Sequence, residues 1–179
     1  MSVPAADTAR CWAYLSVGSN LGNRLQHCCR GIAALCADGA VQTVARAPFY
    51  ETEPVDYLEQ GWFLNTAVKI VTALPPLALL DRLQAVQAAA GRKSGGIRFG
   101  PRPLDLDIIL FEDRIVHTER LILPHPRMHK RRFVLQPICD IDPTVVHPTL
   151  GQDVKTLLNQ LREGEQRIRP CSYDCSSTS

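Results

Sequence analysis

Two aspartates, Asp105 and Asp107, interrupt the apolar stretch FGPRPLDLDIIL that runs from Phe99 to Leu110. Aspartate is depleted in strands and costly to bury without a partner. Residues two apart in a strand share a face and lie about 6.5 Å from each other, so the two carboxylates stand side by side. Leu104, Leu106, Ile108 and Leu110 fall on the opposite face, and Ile109 follows the acids on theirs. Like charges this close repel unless a cation or nearby arginines hold them. One reading is ion pairing with Arg98 and Arg102 on a solvated face. A second reading comes from the segment upstream, RKSGGIRFGPRP, which is basic, free of acids and rich in glycine and proline, so that a mobile loop is expected. Mg2+ takes one or two carboxylates together with waters and substrate phosphates. A cationic loop leading into two acids therefore points to a metal with a polyphosphate, the arginines neutralising phosphate oxygens.

The charge distribution agrees. No acid occurs from Arg82 to Leu104 or from Arg120 to Cys139, and these basic segments flank the aspartate pair, although the formal net charge is only +2. That near balance gives no sign of a nucleic-acid or membrane partner. At 179 residues and 45% hydrophobic, the chain fits one domain spanning 1–179, with an ordered core from about 11 to 165 and frayed termini. Seven cysteines without a repeated C-x-x-C argue against a zinc site. The N-terminus has no apolar run of signal-peptide length and no segment is long enough to span a membrane. A cytoplasmic location is expected, with the thiols acting as small buried hydrophobes and Cys171 and Cys175 in a loose, serine-rich end.

The elements that must position the acids can be read from periodicity. Trp12–Val17 is a strand, ended by the turn GSNLGN, whose Gly18, Asn20, Gly22 and Asn23 tolerate unusual backbone angles; Arg24–Ala37 is a helix. Val41–Tyr50 and Phe63–Thr72 are strands joined by the loop ETEPVDYLEQG, and Pro75 opens a helix that Gly91 stops. Leu104–Phe111 is a strand followed by a short strand at IVH, LILPHPRMHKRRFVLQPICDI holds a short helix, and Val154–Arg162 is a last amphipathic helix. The order βαββαβ with a helical tail predicts an α+β sandwich, its antiparallel sheet covered by helices on one face. There is no G-x-x-x-x-G-K-[ST] phosphate loop and no protein-kinase motif set.

GPRPLDLDIIL resembles the signature of the 6-hydroxymethyl-7,8-dihydropterin pyrophosphokinase family. YLSVGSNLGNR, FYETEPV, FLNTAVKI, the AGR before the basic loop, LILPHPRMHKRRFVLQPICDI and DPTVVHP follow in that family's order, from about Tyr14 to Leu161. The resemblance implies a ferredoxin-like fold and transfer of the diphosphoryl group of ATP to the hydroxymethyl of the pterin, with release of AMP, in folate biosynthesis. Asp105 and Asp107 are then expected to hold two Mg2+ ions, and Arg92, Arg102, His125 and Arg131 to meet the triphosphate. For the pterin, Thr52 and Val55 match backbone contacts, Asn65 a side-chain amide, and Phe63 and Phe133 two aromatics stacked on the ring. Phe99 matches a loop aromatic that helps close the site. The partners implied are ATP and the pterin, and a monomer is expected.

Some positions depart from the pattern: Gln87 stands where relatives place an acid, Ser94 after Lys93 where they carry an arginine, and Phe99 where tryptophan is commoner. Taken alone, His125 could be a structural residue at a helix start, Arg131 a solvated cation and each Phe plain core. A single-stranded nucleic-acid binder would want exposed aromatics on its strands, and aromatics are only 6% of the chain. A metal-dependent nuclease would want a further acid or lysine near the pair.

Overall fold

The structure, a computed structural model, describes residues 10–55, 57–92, 100–162 and 164–177. In chain order the elements are β1 (Cys11–Ser19), α1 (Arg24–Cys36), β2 (Val41–Arg46), β3 (Phe49–Thr52), β4 (Phe63–Thr72), α2 (Pro76–Ala89) and β5 (Asp105–Phe111). Then come β6 (Val116–His117), β7 (Ile122–Leu123), a 3-10 turn at Met128–Lys130, α3 (Arg132–Ile141), β8 (Val146–His147), β9 (Gln152–Asp153), α4 (Val154–Gln160) and β10 (Ile168–Cys171). The main sheet runs β10-β3-β4-β1-β5, with β2 also paired to β4, and every pairing is antiparallel. The single strand read over Val41–Tyr50 is two: β2 and β3 share one edge of β4, separated by Ala47–Pro48. Pro48 has no N–H to donate, so it cannot serve as an interior ladder residue.

Helices cover both faces of the sheet, which corrects the expectation of one. Ala13, Leu15 and Val17 of β1 and Leu64, Val68 and Ile70 of β4 pack with Cys28 and Leu35 of α1 and Leu79 and Leu83 of α2. On the other face Tyr14 and Ala67 pack with Val134, Leu135 and Ile138 of α3 and Leu157 and Leu158 of α4. The reason is in β1 and β4: each is apolar at successive positions, so both sides need burial, at about 1.5–3 kcal/mol per large aliphatic side chain.

β5 carries the acids along the sheet edge. Its pairing with β1 slips between Tyr14 and Leu15, where Ile109 is the extra residue of a bulge. The slip turns Leu110 to the α3 side with Ile109, whereas Leu106, Ile108 and Phe111 face α1 and α2. The strict alternation expected for Leu110 therefore fails at this one position. The lead-in to β5 is fixed by close approach: a Cβ on Gly31 of α1 would lie 2.6 Å from Leu104 Cδ2. Only a glycine there lets Leu104 seat immediately before Asp105.

The C-terminal segment is ordered beyond residue 165. β10 adds to the outer edge of β3, and Cys175 forms a disulfide with Cys29 of α1, across a Cα–Cα distance of 5.4 Å. Neither residue is the free thiol expected. Cys28, which is free, is the small buried hydrophobe foreseen, its thiol pushed up to about 12 by burial. No helix among the described residues is long and apolar enough to cross a membrane.

Candidate active site

The register of three strands sets the site. Asn65 of β4 lies opposite Gly18 of β1, and Gly18 lies opposite Asp105 of β5. Directly opposed residues in an antiparallel sheet point to the same side, so Asn65, Gly18 and Asp105 form one row across the α3 face. The next row on that face is Ala67, Ser16 and Asp107. With strands about 4.8 Å apart, the backbones of Asn65 and Asp105 stand two strand spacings, about 10 Å, from each other.

Gly18 makes this row work. A Cβ there would lie 2.3 Å from Asn65 Oδ1 and 3.8 Å from Phe63 Cδ1, so the missing side chain is the seat of the amide. Asn65 is 4% exposed, and its Nδ2 donates to Thr52 Oγ1 at 2.7 Å. Thr52 pairs with Phe63 across β3 and β4, so Thr52, Phe63 and Asn65 gather on one side of the row. Val55 sits in the following loop and is exposed. Of the four turn residues credited with unusual angles, Gly22 alone has a positive φ, +59°.

At the other end of the row, Asp105 Oδ1 accepts from Arg92 Nη1 at 2.9 Å and from Arg102 Nη1 at 2.8 Å. Asn20 of the GSNLGN turn holds this corner. Its Oδ1 accepts from the Arg102 N–H at 2.8 Å, its own N–H donates to the Arg102 carbonyl, and its Nδ2 donates to Gln60 Oε1 and the Gly61 carbonyl. Gln87 is buried in α2 and accepts from both Arg92 Nη1 and the Leu106 N–H, while its Nε2 donates to the Leu83 carbonyl. Sequence reasoning missed both amides. The sequence reads Asn20 as a turn former and Gln87 as a departure, and a buried amide with three partners is signalled only once the segments that meet around it are known.

Burial drives the Asp107 carboxyl up to about 7, and the neighbouring Asp105 adds to the rise; Arg131, Arg92 and Arg102 oppose it. A carboxylate in this state accepts a cation readily, and two hard oxygen donors beside three guanidiniums suit Mg2+ with phosphate. Among the described residues no group of three or more His, Cys, Asp or Glu could make an all-protein metal cage.

His125 lies beside this pair, its N–H donating to the Ile109 carbonyl of β5 at 2.9 Å. Burial lowers its pKa to about 4, helped by Arg131 and Arg127, so the imidazole is neutral at ordinary pH. Its Nδ1 accepts from the Arg127 N–H at 3.2 Å, which leaves the proton on Nε2 as a donor. Arg131 is 9% exposed and stands over the Phe133 ring at 5.4 Å, which replaces the picture of a solvated cation. Phe133 is half-buried in the first turn of α3. Thr52, Phe63, Asn65, Arg92, Arg102, Asp105, Asp107, His125 and Arg131 are thus linked through β5 and its neighbours; Phe99, Arg98 and Lys93 lie outside the described residues.

The family model for 7,8-dihydro-6-hydroxymethylpterin-pyrophosphokinase (HPPK) matches residues 14–143. A 2-amino-4-hydroxy-6-hydroxymethyldihydropteridine pyrophosphokinase of Bacillus subtilis is 44% identical over 129 residues, 72% of this chain and 77% of that protein. The protein of the same name from Methylorubrum extorquens is 40% identical over 149 residues, 83% of this chain and 92% of its own. A crystal structure of wild-type Plasmodium falciparum HPPK-DHPS with pterin and p-hydroxybenzoate superposes with a TM-score of 0.66 at 16% identity, over 85% of this chain. The match spans only 42% of that longer protein, and at such identity the likeness concerns the fold, an α+β ferredoxin-like sandwich.

Proposed function

The chain belongs to the 7,8-dihydro-6-hydroxymethylpterin-pyrophosphokinase family and is a pyrophosphokinase of folate biosynthesis with ATP as co-substrate, and we propose that the row Asn65, Gly18 and Asp105 aligns its two substrates. On this reading the pterin lies at the Asn65 end and the triphosphate at the Asp105 end. The observation that carries it is the glycine between them, whose missing side chain lets the Asn65 amide lie over β1 in the row that ends at Asp105, so that one row of the sheet serves both the pterin edge and the phosphates.

The Asn65 amide, fixed by Thr52, presents donor and acceptor to the pyrimidinone edge, with backbone groups at Thr52 and Val55 beside it. Phe63 and Phe133 stack on the ring faces. Arg92 and Arg102, which share Asp105 Oδ1 in the free chain, turn to the phosphate oxygens and offset the charge that builds on the departing AMP. Arg131 and the Nε2–H of neutral His125 donate to the same group from the α3 side, and Phe99, outside the described residues, is assigned to the nucleotide.

Asp105 and Asp107 would hold two Mg2+ ions. When bound, these supply charge stabilisation for the attacking and leaving oxygens of an in-line displacement. The attacking oxygen is the pterin hydroxyl, the bond broken is that between the α- and β-phosphates, and the products are the pterin diphosphate and AMP. No nucleophile from the chain is needed. The chain acts as a single-domain monomer, with ATP and the pterin as its partners.

Nucleotide products separated by ion exchange test this directly, after incubation with ATP, Mg2+ and 6-hydroxymethyl-7,8-dihydropterin. AMP that forms only when pterin and metal are both present is expected. Formation of ADP, or AMP release that ignores the pterin, would refute the assignment.

A further inference from the structure

Residues 166–169 lie beyond the segment that matches the family model, yet they contact Thr52 and the sequence neighbours of Phe63 and Phe133. The side chain of Gln166 bridges the turn into α3: its Oε1 accepts from the Arg132 N–H at 2.7 Å and its Nε2 donates to the Lys130 carbonyl at 2.8 Å. Those two peptide groups bracket Arg131 and immediately precede Phe133. Arg167 grips the opposite wall. Its N–H and Nε donate to Glu53 Oε1 and Oε2 at 2.7 and 2.8 Å, and its carbonyl accepts from the Glu53 N–H at 3.1 Å. Glu53 is the residue between Thr52 and the loop that carries Val55. The guanidiniums of Arg167 and Arg169 also stand 5.4 and 5.0 Å from the ring centre of Trp62, which directly precedes Phe63.

Two anchors hold this segment in place. β10 pairs with β3 from Ile168 opposite Thr52 to Cys171 opposite Phe49, and the disulfide from Cys175 to Cys29 fixes the end to α1. Neighbouring residues 166 and 167 therefore clamp two chain segments that are about 80 positions apart in sequence, with Glu53 on one and Arg132 on the other. Fixing both from a third segment reduces the ordering left to be done when ligand binds.

We infer that the C-terminal segment is a strap that sets the width of the pterin subsite, with Gln166 and Arg167 as its positioning residues. They act through Glu53, Trp62, Lys130 and Arg132. The inference rests on the assignment of Thr52, Val55, Phe63, Asn65 and Phe133 to the pterin.

Steady-state kinetics of full-length Gln166→Ala, Arg167→Ala and the double variant test the strap, with Asn65→Ala as reference and circular dichroism as a check on folding. The expected result is a rise of about tenfold in the KM for pterin in the double variant, with the KM for ATP within about twofold of wild type, equivalent to about 1.4 kcal/mol of lost pterin binding. Arg167→Lys keeps the charge and the backbone N–H to Glu53 Oε1 but loses the Nε donor to Oε2, and is expected to recover only part of the loss. A purely structural strap would lower the apparent kcat through loss of folded protein and leave both KM values as in wild type, and that pattern overturns the inference. If the double variant does not fold, the single Gln166→Ala is read by the same criterion. An unchanged pterin KM in the strap variants, while Asn65→Ala raises it, overturns the strap and leaves the pterin subsite standing. An unchanged pterin KM in Asn65→Ala removes the subsite assignment and the strap with it.

Discussion

Replacing Asp107 with asparagine should make the metal-free protein more stable at alkaline pH while ending its turnover. Burial, then Asp105, raises the Asp107 pKa from 3.8 to about 7, so the folded chain binds this proton more tightly than the unfolded chain does. Between those two values unfolding releases a proton, and stability falls as pH rises through the window, levelling off above it. At about 1.36 kcal/mol per pKa unit the shift corresponds to about 4 kcal/mol, lost in full by about pH 8. Asparagine keeps the shape and removes the charge, so a gain of about 2–4 kcal/mol is expected there, near zero by about pH 4. For a chain of this size that is a rise of roughly 4–16 °C in Tm. Urea and thermal unfolding of both proteins in chelator, across the acid to alkaline range, would measure it. Mg2+ with a non-hydrolysable ATP analogue should then stabilise the wild type and leave the variant unchanged. Equal pH dependence in the two proteins, or a variant less stable at alkaline pH, would show that the arginines already hold Asp107 ionised and would refute the reasoning.

Gly18→Ala places a methyl 2.3 Å from Asn65 Oδ1, so the amide must leave its seat; about 1–3 kcal/mol of stability should be lost and the pterin KM should rise more than the ATP KM. Urea unfolding and kinetics check both, and an unmoved pterin KM would count against the row. His125 is held neutral, its pKa lowered from 6.5 to about 4, so unfolding takes up a proton between those values and stability falls as pH falls through the window. His125→Gln should flatten that acid limb in urea midpoints, and an identical limb would place the acid sensitivity elsewhere.

Much of the site was legible because its chemistry is written in adjacent residues. Asp105 and Asp107 advertise themselves by sitting where a strand should be apolar, and the basic loop beside them supplies the counter-charge. Asn65 and the aromatics became readable through resemblance to a family, since one asparagine in an apolar strand carries no signal of its own. What remained hidden depends on contacts between distant segments. Gln87 looked like a lost acid, yet it ties Arg92 to the Leu106 N–H at the open edge of β5. The bulge at Ile109 arises from pairing with β1 and has no glycine or proline to mark it. Helices on both faces were missed because a βαββαβ order is compatible with either arrangement until α3 and α4 are seen to need an apolar partner. The serine-rich end gave no hint of a strand, and the pairing of Cys29 with Cys175 is one of many that seven cysteines allow.

The last strand also bears on how the molecule behaves in a crowded solution. β3 by itself would present a row of unpaired backbone groups at the rim of the sheet, an invitation to pair with another chain. β10 covers that rim and becomes the new outermost strand, but it is only four residues long and carries Arg169 and Pro170 exposed to solvent. Proline lacks the N–H that a further strand would need, and a charged arginine beside it resists desolvation. The sheet therefore ends in a strand that is poor at recruiting a neighbour, and the covalent link at Cys175 keeps that protective cover in place against the rest of the fold.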